Sequence, residues 1–439
     1  MLDNFYKNFK SGTDIRGVAS EGVEGQNVNL TDDVVKKMAF GFVLWLEKVT
    51  DKKASEMTIS VGRDSRISGE RIANDVIDSF KKAGVKVIYT NLSSTPSMFM
   101  TTVDLGCDGA VQITASHHPF NRNGLKFFTP NGGLEASDIE EILQYAQDDK
   151  KPEITDNGTV EEMDYMSRYS NHLCDIIKKG VNAEDYDHPL KGFKIVVDAG
   201  NGVGGFYADK VLKVLGADTE GSVYLDPDGM FPNHIPNPED KTAMESISKA
   251  VLDSKADLGV IFDTDVDRGG AVDSFGKEIN RNRLVALASA IALEGTDGGT
   301  IVTDSVTSSG LKDFIENHLG GKHYRYRRGY KNVIDKGIEL NNNGEFCPLA
   351  IETSGHAAMK ENYFLDDGAY LCTKIIIKMA QLAKENKTID MMLKDLKEPA
   401  ESKEIRFKIT EEDFRACGEK IIADLEKYAE NEPNWIVAD

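Results

Sequence analysis

Three short stretches hold residue types that can do chemistry. In the first, Gly109-Ala110-Val111-Gln112-Ile113-Thr114-Ala115-Ser116-His117-His118-Pro119, an apolar run gives way to small and hydroxyl residues. Pro119 and the Asn123-Gly124 pair block its continuation, so the pattern predicts a strand followed by a loop. Ser116 is expected at the loop tip and outside any core. Residues 125–128 then resume an extended segment that carries Lys126 back beside the loop. A hydroxyl nucleophile near a cation suits phosphoryl transfer, where catalysis is mostly positioning and charge neutralisation. On this stretch alone, an ordinary polar turn is an equal reading.

The second stretch, Leu258 to Gly270, is an apolar strand that runs into Asp263, Asp265 and Asp267, followed by Arg268. Carboxylates at alternate positions of an extended loop converge on one hard cation through oxygen ligands, as Mg²⁺ or Ca²⁺ requires. An EF-hand is excluded, because its sixth position would be Arg268 instead of Gly and its twelfth Ser274 instead of Glu. A solvated acidic turn is the plain alternative. If a cation binds, Arg268 faces a phosphate instead of the metal.

The third stretch is Ala350-Ile351-Glu352-Thr353-Ser354-Gly355-His356. Glu352 and Ser354 at alternate positions form a fork for sugar hydroxyls, since a carboxylate accepts hydrogen bonds and a hydroxyl does both. His356 offers an acid or a phosphate donor; a capped turn fits the same residues. Upstream, Arg325, Arg327, Arg328 and Lys331 with Tyr324, Tyr326 and Tyr330 make the densest basic patch, which reads as a phosphate pocket. A fourth motif, Gly200-x-Gly202-x-x-Gly205, resembles a dinucleotide fingerprint. Its context is wrong, because Glu220 precedes the next apolar run, so a tight βα turn is the better reading.

These loops need strands and helices to hold them. Residues 58–61, 194–197 and 300–303 are each a β-branched run followed by an acidic turn and helix-like sequence, which predicts repeated α/β units. Helices are expected over 32–49, with Thr31 as N-cap, and over 70–83, with a strand at 85–89. At 439 residues the chain exceeds one core. Composition changes divide it at 1–152, 160–278, 279–395 and 396–439. The last portion offers a strand over 405–409, a helix over 411–428 and the start of a strand at 435–438.

A net charge of −21 repels polyanions, which argues against a nucleic-acid partner. No apolar run approaches the ~20 residues that span a bilayer, and no signal peptide is evident, so a cytoplasmic protein with no membrane partner is expected. Five scattered cysteines, with no Cys-x-x-Cys, read as reduced thiols.

Taken together in order, the motifs resemble the α-D-phosphohexomutase superfamily, the phosphoglucomutase and phosphomannomutase enzymes. Gly12-Thr13-Asp14-Ile15-Arg16-Gly17 is similar to its N-terminal motif, and Thr114-Ala115-Ser116-His117-His118-Pro119 to its phosphoserine loop. Asp263-x-Asp265-x-Asp267-Arg268 resembles its metal loop and Glu352-Thr353-Ser354-Gly355-His356 its sugar loop. The resemblance covers about Ser11 to Tyr370.

The resemblance implies an α/β protein of similar mixed-sheet domains around a central cleft. It implies a phosphoserine at Ser116, and Mg²⁺ held by Ser116, Asp263, Asp265 and Asp267. Arg16, Lys126 and Arg268 would surround the phosphoryl group, with Lys126 also a proton carrier. Glu352, Ser354, His356, His117, Tyr330 and Lys331 would hold a small-molecule hexose phosphate, His356 near the reacting end. The implied reaction moves a phosphoryl group between the 1- and 6-positions through a hexose 1,6-bisphosphate, in a monomer or homodimer.

Thr353 leans toward glucose and mannose over glucosamine, whose enzymes usually carry Gln there. Tyr330 stands where several members have His. The family's phosphate-holding loop has no counterpart after Trp435, so residues 396–439 are expected to form a partial α+β domain. A phosphatase and an inactive sugar-phosphate binder are the rival readings.

Overall fold

The computed structural model describes residues 1–435 except 404, 406 and 412. Three sheets carry the described residues. In the first, Lys86–Leu92, Thr58–Arg63 and Gly109–Ile113 run parallel, and Arg122–Thr129 closes antiparallel on the last of them. In the third, Lys322–Arg325, Thr300–Thr303 and Leu349–Ile351 run parallel, and Ala357–Met359 closes antiparallel. The second repeats this with Ile195–Asp198, Leu258–Phe262 and Gly269–Asp273, flanked by parallel bridges from Asp218 and Val223. The repeat expected from the three β-branched runs is therefore a repeat of topology.

Each sheet is covered on both faces, which is why its central strands read as near-continuous apolar runs. Period-2 alternation sends Leu125 and Phe127 into one core with the helices Asp32–Thr50, Gly69–Lys82 and Ala136–Gln147. Phe128 faces the other way, toward Thr95–Asp104. Lys126 shares the Phe128 face, and that face meets the second and third units.

Those two units share one apolar core with Thr95–Asp104, Tyr165–Val181 and Gly368–Ala383. The last two helices approach so closely that a Cβ on Gly180 would lie 2.7 Å from Ile377 Cδ1.

Several expectations move. Strand Thr159–Glu162 pairs parallel with Lys86–Leu92, so the first sheet extends beyond 152 and past the change expected at 160. Its side chains are exposed, so backbone pairing adds it to the edge with no apolar pattern to announce it. Thr31 precedes the helix Asp32–Thr50 but its side chain makes no cap hydrogen bond. Among the described residues of 405–409 there is no strand. The helix expected over 411–428 runs Phe414–Asn431. The strand expected at 435–438 lies outside the described residues but for Trp435.

Candidate active site

The three motifs occupy equivalent places. Each is the turn between a sheet's last parallel strand and its antiparallel partner: 114–121, 263–268 and 352–356. Packing brings the three turns together. Ser116 Oγ donates to Asp263 Oδ2 at 3.1 Å, and Lys126 Nζ lies 2.6 Å from Asp267 Oδ2. Arg268 and His356 form an antiparallel bridge, reinforced by Gly269 N–H on the Gly355 carbonyl at 3.2 Å.

Ser116 is not at an exposed tip. It is 1% exposed, because the second unit closes over its loop. Its φ of 51° is left-handed, a conformation that costs an L-residue roughly 1–2 kcal/mol.

Arg66, fully buried, holds the turn in that shape. Its guanidinium donates to the carbonyls of Pro119 at 2.7 Å, Arg122 at 2.8 Å, His118 at 2.6 Å and Ser116 itself, and its Nε to Asp64 Oδ2 at 3.2 Å. A planar fork of five donors can satisfy so many acceptors at once, and a lysine cannot. His117 Nδ1 lies 3.3 Å from Ser116 Oγ. Burial, then the Arg268 guanidinium, lowers this imidazole to about 2, so it stays neutral.

The carboxylate loop is strained at Val266, a β-branched residue at φ 66°. Such a residue costs roughly 1–3 kcal/mol and persists only where surroundings impose it. Here Gly368 N–H donates to the Val266 carbonyl at 3.1 Å. The turn gathers oxygens of Asp263, Asp265 and Asp267 within 4.8 Å of one another, all buried. Asp265 Oδ1 and Asp267 Oδ1 have no hydrogen-bond partner among the described residues. Burial, then Asp267, raises Asp263 well above the ordinary carboxylate range, and raises Asp265 to about 6. Burial pushes Asp267 the same way, but Lys126, His356 and Arg268 together outweigh it and hold Asp267 low. An all-oxygen set with unpartnered buried oxygens and mutual repulsion fits a hard divalent cation.

Arg268 Nε donates to His356 Nε2 at 2.8 Å, and His356 Nδ1 donates to Asp366 Oδ2 at 2.5 Å. His356 is therefore neutral; burial, then Arg268, lowers it to about 4. Glu352 Oε1 accepts from Gly329 N–H at 2.6 Å, and Ser354 Oγ donates to Glu352 Oε2 at 3.2 Å. Gly355 has φ 97°, and a Cβ there would meet the Gly269 carbonyl at 2.7 Å, so the close pairing of the two loops needs glycine.

Tyr330 stacks on His356 with centroids 5.1 Å apart, shares a 2.9 Å hydrogen bond with Thr13 Oγ1, and lies under Lys126 Nζ. Arg16 sits opposite Gly124 on the neighbouring strand, paired with Asp14 at 2.9 Å.

The expected basic patch is dispersed. Lys331 pairs with Glu135 and Asp335, Arg328 with Glu239, and Arg325 reaches Thr307, while Lys331 lines one cavity with Lys126, Thr95 and Tyr330. The Gly200 motif is structural. A Cβ on Gly202 would meet the Thr264 carbonyl at 2.6 Å, and one on Gly205 the Leu225 carbonyl at 2.2 Å, so these glycines let backbone press on backbone.

Residues 8–153, 167–276 and 280–399 match, in that order, the phosphoglucomutase/phosphomannomutase α/β/α domains I, II and III. The chain belongs to the phosphoglucomutase/phosphomannomutase family. Similar curated members include a phosphoglucomutase of Neisseria meningitidis serogroup A, 29% identical over 379 residues, 85% of this chain and 75% of that one. A phosphomannomutase/phosphoglucomutase of Pseudomonas putida is 30% identical over 323 residues, 73% of this chain and 65% of that one. Among solved structures, a phosphoglucomutase/phosphomannomutase family protein of Burkholderia thailandensis is 26% identical with TM-score 0.72, covering 91% of this chain and 81% of that one.

Within this phosphohexomutase fold, sequence reading missed five contributors. Arg66 lies in the Gly62-Arg63-Asp64-Ser65-Arg66 turn; an Arg and Asp together after a buried strand was the available signal. Thr95 donates to Asp265 Oδ2 at 2.5 Å, and Asp366 orients His356. Asn237 and Glu239 approach Arg268 at 3.5 and 3.8 Å. Among the described residues no helix is long and apolar enough to cross a membrane.

Proposed function

We propose that this phosphohexomutase interconverts the 1- and 6-phosphates of a hexose, glucose or mannose, through a phosphoserine at Ser116 and a bisphosphorylated sugar. The observation that carries the reading is the meeting of Ser116 Oγ, Lys126, the three carboxylates and Arg268 in one buried cluster beside Glu352 and Ser354. Such a site can hold a phosphoryl group and a polyol at once.

Each chain group has a task. Ser116 Oγ carries the phosphoryl group. One P–O bond to Ser116 breaks as one to the sugar hydroxyl forms; the hydroxyl loses a proton and Ser116 Oγ gains one. Burial lowers Lys126, but Asp267 and the nearby acidic groups outweigh it and raise it well above its ordinary value, so it stands as a cation beside the moving group. Arg268 and Arg16 add positive charge around the moving group. Glu352 and Ser354 grip adjacent sugar hydroxyls, and release followed by reversed binding of the bisphosphate presents the other phosphate to Ser116.

Asp263, Asp265 and Asp267 would hold Mg²⁺, with Ser116 Oγ adjacent to Asp263. When bound, that ion neutralises phosphoryl oxygens. A hexose 1,6-bisphosphate should then load the protein. Mass spectrometry after that incubation should find phosphate on Ser116 and on no other hydroxyl. Modification elsewhere, or none, would sink the reading.

A further inference from the structure

Residues 226–240 contain no regular helix or strand, yet they touch all three units. At one end, Gly229 lies against the turn that carries Arg66, where a Cβ would meet Ile67 N and the Ser65 carbonyl at 2.4 Å. Phe231 lies 5.2 Å from the Arg66 guanidinium carbon. At the other end, Asn237 and Glu239 reach Arg268, and Glu239 also pairs with Arg328 of the third unit at 3.3 Å. A segment with four prolines and no ladder needs side chains to fix it.

The fixing residue is His234, whose side chain is 2% exposed. Its Nδ1 lies 2.9 Å from the Ile235 carbonyl, and its Nε2 lies 3.0 and 3.1 Å from the two Asp198 carboxylate oxygens. Carbonyl and carboxylate oxygens only accept, so both ring nitrogens carry hydrogen and the ring is an imidazolium. Ser246 Oγ donates to Asp198 Oδ2 at 2.7 Å and steadies the pair. Gly200 allows the contact, since a Cβ there would lie 3.2 Å from His234 Cε1.

We propose that His234 is a positioning residue for Arg268, anchoring 226–240 to Asp198 so that Asn237 and Glu239 set the guanidinium that faces the phosphoryl group. The functional half rests on the phosphohexomutase reading above; the anchoring half does not. Burial opposes the imidazolium, but Asp198 and the Ile235 carbonyl outweigh it and lift the ring above its ordinary 6.5. Asp240, at the head of Lys241–Ser254, adds to the lift. An open cavity of about 840 Å³ alongside carries Glu220, Glu245 and Asp253 against Lys194 and Lys249, with the Tyr224 ring edge-on to His234. Anchoring is therefore complete below pH 6.5 and lost as pH rises through the folded value.

The test has two readings on the whole chain. Hydrogen exchange is followed at the amides of Asn237, Asp240 and Gly269, which bond Ile235, Asn237 and Gly355. In His234→Gln these amides should lose about tenfold in protection while amides of the first sheet do not change. The unsubstituted chain should show the same loss, corrected for intrinsic rate, between pH 6 and 9, so a variant that fails to fold does not block the reading. Unchanged protection in either comparison overturns the anchor.

Turnover is then read in a double-mutant cycle. His234→Gln should lower kcat/KM ~10-fold with Arg268 present and under ~2-fold in Arg268→Ala. Equal losses in both backgrounds overturn the coupling. An unsubstituted chain that turns over no hexose phosphate overturns the phosphohexomutase reading instead, with the exchange data still deciding the anchor.

Discussion

Lys126 Nζ and Asp267 Oδ2 stand 2.6 Å apart with side chains 5% and 1% exposed, joining the strand that follows the Ser116 loop to the carboxylate loop. The pair ties two units that share no strand, and it places a fixed cation beside the oxygens suited to a divalent one. Removing the ammonium in Lys126→Met should leave Asp267 free to a cation. Divalent affinity by calorimetry should tighten ~10-fold, or ~1.4 kcal/mol, while turnover collapses.

The clustered carboxylates repel until a cation binds. Mg²⁺ at a hundred times its Kd should stabilise the fold by ~2.7 kcal/mol, read as a rise in Tm, and chelation should reverse it. Asp265→Asn should blunt this response without abolishing folding.

Much of this site was legible because its residues are contiguous at strand ends. Ser116, the three Asp residues and the Glu352 fork each follow an apolar run, and a run that empties into polar residues announces a loop whatever it packs on. The equivalence of the three turns was only hinted at, since it lies in strand order and not in residues. Burial of Ser116 could not be read, because the second unit that covers it begins far along the chain. Arg66 showed only as an Arg beside an Asp in a turn, and His234 not at all, because their acceptors are backbone carbonyls and a distant Asp198, set by tertiary packing. The edge strand Thr159–Glu162, with all side chains exposed, had no pattern to give.

Arg66 offers a separable test of how the Ser116 turn is held. Arg66→Lys keeps the charge but abandons most of the four carbonyls. Urea unfolding should show a loss of roughly 2–4 kcal/mol. A loss below 0.5 kcal/mol would mean that the turn holds itself.

Gly202 presses on the Thr264 carbonyl within the carboxylate loop. Gly202→Ala should displace that loop and weaken divalent binding ~10-fold, or ~1.4 kcal/mol, with less effect on the fold than on affinity. Titration calorimetry alongside thermal melts separates the two.

The anchor at His234 carries its own pH signature. A raised folded value means that its contribution to stability is full below pH 6.5 and falls as pH rises through that value. Unfolding midpoints at pH 6 and pH 9 should differ more in the unsubstituted chain than in His234→Gln.

The most direct test of the account is a single turnover. The chain, phosphorylated at Ser116 and freed of excess bisphosphate, is mixed with Mg²⁺ and glucose 6-phosphate and followed by phosphorus NMR. Transfer predicts that the phosphoserine resonance falls as glucose 1,6-bisphosphate and then glucose 1-phosphate appear, with Ser116→Ala silent. Release of inorganic phosphate alone, or a phosphoserine that persists unchanged beside the sugar and beside mannose 6-phosphate, would contradict it.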